Sequence, residues 1–147
     1  MAIREKRVFV VSPPAVPKAT TRVYVDMEGN STGSLVYLIG MLIVEEETTR
    51  YQWFWADKED DEDLIFDQFL QYISRLSNLH IHFYGSYEAR IFRRIAAQGK
   101  TLCSGNSPLT TSTNVLSLIY ASIYFPTYSN SLKEIGKYLG CEWSSPD

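Results

Sequence analysis

A chain of 147 residues is long enough for one domain with a real core and short for two, and its 45% hydrophobic content excludes a disordered chain. A formal net charge of −3 argues against a uniformly basic coat for nucleic acid, while leaving room for a local basic patch. No apolar run approaches the roughly 18 residues that span a bilayer, so a soluble, cytoplasmic protein without a membrane partner is expected.

Residues 1–21 read as a lead-in. The apolar run at 8–11 is shorter than the roughly 7–15 residues of a signal-peptide core, and Pro13, Pro14 and Pro17 separate it from the strand that begins at residue 22. The domain itself is expected over 22–147, opening on 22-RVYVDMEGN-30. Side chains on a strand alternate with period two, which puts Arg22, Tyr24, Asp26 and Glu28 on one face and Val23, Val25 and Met27 on the other. After the turn NSTGS, the stretches 35-LVYLIGMLIVEEE-47 and 48-TTRYQWFWAD-57 predict two strands turning near residues 46–48. The first of these is apolar on both faces, as in a central strand.

A helix is predicted over 59–78, with acids crowding its first turn and Ile65, Phe66, Phe69, Leu70, Ile73 and Leu76 as its inward stripe. The strand 80-HIHFYG-85 leads into a helix over 87–98, with Ile91, Phe92 and Ile95 inward. Residues 100–113 read as a polar loop and 114–125 as a further helix. Ser131 followed by Glu134 is a capping-box pattern; Leu132, Ile135 and Leu139 form the stripe of that helix, and Gly140 is its C-terminal cap. Three consecutive strands followed by helix, strand and helices predict an α/β fold, a mixed central sheet with helices packed on it.

Two carboxylates on one strand face repel each other unless a cation lies between them. Hard ions such as Mg2+ and Mn2+ prefer oxygen ligands, and a pair of them can clamp a displacement at phosphorus. Asp26 and Glu28 are too few for that, and Glu88 is the best third ligand. In isolation it is an ordinary first-turn acid, but it stands at a strand-to-helix junction, where open α/β sheets place their sites. Arg90, Arg93 and Arg94 on the same helix either hold phosphates near the metals or line a solvated face. His80 and His82 share a strand face and, without a third ligand nearby, read as structural rather than zinc-binding. Tyr51, Trp53 and Trp55 alternate along one face and read as core rather than as a base-stacking platform. Cys103 and Cys141 form no CxxC, and no phosphate loop, GxSxG or HExxH is present.

The segment VYVDMEGN resembles the first motif of the DEDD exonucleases, a hydrophobic strand ending in Asp-x-Glu within the ribonuclease H-like fold. HFYGSYEARIFRRI resembles their second motif, with Tyr-Glu as in the ribonuclease H-like domain of bacterial RecB-type nuclease-like proteins. The pattern in 115-VLSLIYASIYFPTYSNSLKEIGKYLG-140 is similar to that group as well, so the likeness spans roughly 22–140. It implies a metal-dependent nuclease, a 3′–5′ exonuclease acting on DNA or RNA, with Asp26, Glu28 and Glu88 matching three of four acids that bind Mg2+ or Mn2+. The fourth is expected on a helix beyond residue 140; Asp147 lies too early, and Asn114 stands where relatives often carry Asp. The expectation is therefore either a fragment that works with other domains of a longer parent protein, or an incomplete site. Taken alone, such a chain should bind metal weakly and cleave little. The competing readings are a ribonuclease H-like binding or scaffold domain, and a restriction-type nuclease. The latter needs an acid-x-Lys on a strand, and the predicted strands contain none.

Overall fold

The computed structural model describes residues 2–102 and 108–142. In chain order its elements are α1 (Ala2–Glu5), β1 (Phe9–Val10), β2 (Thr21–Gly29), β3 (Val36–Glu45), β4 (Thr48–Trp55), α2 (Glu62–Ile73), β5 (Leu79–Phe83), α3 (Tyr87–Ala97), β6 (Ser112–Asn114), α4 (Val115–Ser122), β7 (Ile123–Tyr124) and α5 (Leu132–Tyr138). Pro17–Asn114 form one compact unit, and the described residues of Met1–Val16 and Val115–Asp147 form another.

The larger unit is a five-stranded mixed sheet in the order β4-β3-β2-β5-β6. β2 pairs antiparallel with β3, and β3 with β4, whereas β5 lies parallel to both β2 and β6. The alternation in β2 is as expected, with Val23, Val25 and Met27 buried and Arg22, Tyr24, Asp26 and Glu28 exposed. In β3 the buried set is Val36, Ile39, Met41 and Ile43, while Leu38, Leu42 and Val44 are only half-buried. One sheet face is thus dry and the other partly open.

The dry face is covered by α2 and α3. Ile65, Phe66, Phe69, Leu70 and Ile73 of α2 and Ile91, Phe92 and Ile95 of α3 are buried, following the predicted stripes. Phe92 is a junction of this core, stacking on Phe69 and meeting Phe83 edge-on, each at 6.0 Å between ring centres. The helix predicted over 59–78 begins as a 3-10 turn at Glu59–Asp61, and its α-helical part ends at Ile73.

Two expectations for this unit fail. Ser112–Asn114 is a strand, not loop: its polar residues carry no apolar alternation, and the pairing to β5 alone defines it. Tyr51, Trp53 and Trp55 are not core but 74%, 63% and 54% exposed. Alternation correctly groups them, but only the register says which face they take. They stand opposite Leu42, Gly40 and Leu38 on the partly open face, while Phe54 turns the other way and packs edge-on against Tyr72 at 6.1 Å.

In the smaller unit β1 and β7 pair antiparallel, Phe9 opposite Tyr124 and Val10 opposite Ile123. The 1–21 stretch read as a lead-in thus contains paired strand, and the helix predicted over 114–125 stops at Ser122. α5 is capped as the sequence predicts at its start: Ser131 Oγ accepts from the Glu134 N–H at 3.2 Å, while Glu134 Oε2 accepts from the Ser129 N–H at 3.2 Å. Its end is a Schellman motif around Gly140, at φ +84°, with Cys141 N–H donating to Gly136 O at 2.9 Å and Gly140 N–H to Lys137 O at 3.1 Å. Of the expected stripe only Ile135 is buried; Leu132 and Leu139 are exposed. Cys141 is exposed with a free thiol, and Cys103 and Asp147 lie outside the described residues. Among the described residues no helix is long and apolar enough to cross a membrane.

Candidate functional site

The site is built where β2 ends and α3 begins. Because β5 runs parallel to β2, with Tyr24 opposite His82, the two strands deliver their C-terminal ends to the same edge. Asp26 and Glu28 project from the partly open face of β2, and Glu88 is the second residue of α3. The chain reaches α3 through Gly85, at φ +110°, and Asn114 pins that turn. Asn114 Oδ1 accepts from the Gly85 N–H at 3.1 Å, and its Nδ2 donates to Gly85 O at 2.8 Å. Asn114 therefore copies a backbone pairing at the position where the resemblance implied an acid.

Close packing fixes the helix against the strand. A Cβ built on Gly29 would fall within 3.0 Å of both Tyr87 Oη and Leu35 O, closer than real Cβ atoms come. Only glycine lets the end of the Asp-x-Glu strand pass beneath Tyr87. The neighbouring register shift between Glu28 and Gly29 is the bulge that ends the regular pairing of β2 with β3.

Glu88 is 4% exposed, and its Oε2 has no hydrogen-bond partner. Burial first of all raises its carboxyl above the ordinary range; the negative charges of Asp26 and Glu28 raise it further, and the backbone N–H groups of Glu88 and Met27 oppose the rise. Asp26 is raised too, by the packing around its carboxyl, with the same Met27 N–H opposing. The Met27 N–H thus opposes the rise at both carboxyls, and the charges of both strand acids act on Glu88. Among the described residues, no three His, Cys, Asp or Glu side chains close into a metal-holding group. The donor chemistry nevertheless fits a hard divalent cation, since among the described residues no ion pair holds these carboxylates and one oxygen is buried and unpaired.

The three arginines separate. Arg94 is bound into the scaffold: it pairs with Glu62 at 2.6 Å, donates to Ser34 O at 2.7 Å and lies over the Phe66 ring. Glu62 Oε1 also accepts from the Val36 N–H at 2.5 Å, so this ion pair ties α2, α3 and the start of β3 together. Arg90 and Arg93 are exposed, Arg90 with its guanidinium 5.2 Å from the Tyr87 ring centre. His80 and His82 lie beside each other at 5.0 Å, His82 stacked on Tyr24 at 5.1 Å and His80 Nε2 2.8 Å from Thr113 Oγ1. Sequence reading missed the Gly29–Tyr87 contact, the Asn114–Gly85 bridge and the Arg94–Glu62 clip. The glycine directly after Asp-x-Glu and the aromatic before Glu88 were the available signals for the first; the other two depend on tertiary geometry.

Residues 23–147 match the RNase_H_2 family model, of the RNase H superfamily. The mixed five-stranded sheet with its helices is consistent with that fold, and the chain belongs to this family. Membership supports a nuclease-like domain and suggests nucleic-acid binding, in a superfamily that generally uses divalent metal ions. No curated protein matches the sequence.

Proposed function

We propose that the chain is the nuclease domain of a metal-dependent 3′–5′ exonuclease, with Asp26, Glu28 and Glu88 as the ligands of Mg2+ or Mn2+. The observation that supports this best is Glu88: a buried carboxylate with an unpaired oxygen, in the field of two further carboxylates. A buried anion in that setting is costly unless a cation joins it. Bound divalent ions would supply an activated water and neutralise charge on the departing 3′ oxygen.

The chain's own residues prepare the rest. Tyr87 over Gly29 fixes where Glu88 stands relative to the strand acids. Arg90 and Arg93, exposed on the helix that carries Glu88, supply positive charge for phosphates, while Arg94 holds the scaffold. The bridge from Asn114 to Gly85 favours a second reading, a nucleic-acid-binding domain without catalysis, because a neutral amide occupies the place of an acid.

A 5′-labelled single strand of DNA or RNA separates these readings, incubated with Mg2+ or Mn2+ and either the chain or the intact gene product. Progressive shortening from the 3′ end, lost in Asp26→Asn, is the expected result. Intact strands throughout, or cleavage that survives Asp26→Asn, would overturn the catalytic proposal.

A further inference from the structure

The sheet register joins the acidic site to the exposed aromatics of β4. Asp26 stands directly opposite Gly40, and Gly40 directly opposite Trp53; Glu28, Leu38 and Trp55 form the next row. Neighbouring strands lie about 4.8 Å apart, so Trp53 and Trp55 each stand about 10 Å from an acid along their rows, while the row of Tyr51 ends at Tyr24. Between Asp26 and Trp53 the floor is open. A Cβ built on Gly40 would meet nothing closer than Asp26 O at 3.7 Å.

We propose that Tyr51, Trp53 and Trp55 are a stacking platform for the bases of single-stranded nucleic acid, which crosses Gly40 to present its backbone to the acids. This assignment rests on the nuclease reading and extends it to the strandedness of the substrate. Residues two apart on a strand are spaced by about 6.8 Å, room for one base about 3.4 Å thick between neighbouring rings. Trp55 is already held in place, its Nε1–H donating to Asp57 at 3.1 Å and its ring edge-on to Tyr37 at 5.5 Å. A pre-positioned ring loses little freedom when a base covers it. With a net charge of −3, phosphates find little general attraction beyond Arg90 and Arg93, so much of the affinity comes from the base faces, which a duplex hides.

The test uses the full chain carrying Asp26→Asn, in EDTA, with oligothymidylate titrated against tryptophan fluorescence. Quenching is expected, with binding weakened about 5- to 100-fold by Trp53→Ala and largely kept by Trp53→Phe. The apparent Kd should change less than about tenfold between 50 and 200 mM salt, unlike a site dominated by phosphate contacts. Equal binding of duplex, or Trp53→Ala binding as tightly as its parent, would overturn the proposal. So would a dimer in sedimentation that Trp53→Ala dissociates while oligonucleotide binding is unchanged, since the face would then serve a second copy. The arm is metal-free and catalytically silenced, so its failure leaves the cleavage assay standing, and failed cleavage leaves the binding result standing.

Discussion

Glu88 shows what the candidate site costs the fold. A buried carboxyl raised above its ordinary range favours folding while protonated, and that contribution is lost as pH rises through the folded value. Above the ordinary carboxylate range its burial therefore opposes folding. Glu88→Gln should raise the melting temperature in EDTA at pH 7, by an amount equivalent to about 1 kcal/mol. Mn2+ should stabilise the parent chain and leave the variant unmoved; a variant that melts lower, or responds equally to Mn2+, would remove Glu88 from the site. His82 has the opposite sign. Burial first, then the charges of His80 and Arg22, hold it below its ordinary 6.5. The unfolded chain takes up that proton first, so stability is complete above about 6.5 and declines as pH falls below it. Tyr24 stacks on His82, Thr113 lies beside His80, and the charges that act on His82 are those of His80 and Arg22, with no carboxylate among them to hold the proton. Urea melts at pH 7.5 and 5.5 should show a loss of about 1 kcal/mol that is smaller in His82→Phe.

At the scale of elements, one contact decides how β2 meets α3. Gly29→Ala sets a methyl group against Tyr87 Oη and the Leu35 carbonyl, and the second of these is backbone that cannot swing aside. The expected cost is about 1–3 kcal/mol, and Mn2+ stabilisation should weaken with it because Glu88 moves with Tyr87. Tyr87→Phe, which shortens the ring by one buried and unpaired oxygen, should be tolerated and should partly rescue Gly29→Ala. Thermal melts of the single and double variants read both effects. The strands were legible where apolar residues alternate, as in Val23, Val25 and Met27. Asp26 and Glu28 were legible for the same reason: period two leaves no other face for them. What failed was polar or ambiguous in pattern. Ser112–Asn114 carries no alternation, and Tyr51, Trp53 and Trp55 alternate with residues that suit either face. A face is chosen by the partner strand, and one strand's sequence does not contain its partner's register.

At the scale of the whole molecule, the main buried apolar cluster of the described residues lies between residues 23 and 102. Asp26, Glu28 and Glu88 belong to that same compact unit, Pro17–Asn114. The ion pair of Arg94 with Glu62 and the bridge of Asn114 to Gly85 also close within it. None of these contacts draws on residues before 17 or after 114, so core and acids are expected to unfold as one cooperative piece. A fragment of residues 17–114 should therefore fold by itself, with a single urea transition whose slope is about 1–3 kcal/mol/M. It should also keep the Mn2+ response that Glu88→Gln abolishes, because every acid that would provide it is present. Circular dichroism during the melt and a thermal shift with Mn2+ provide the two readings. A fragment with no cooperative transition would show that the sheet needs the outer segments to hold together. A fragment that folds but ignores Mn2+, beside a full chain that responds, would place an essential ligand outside 17–114.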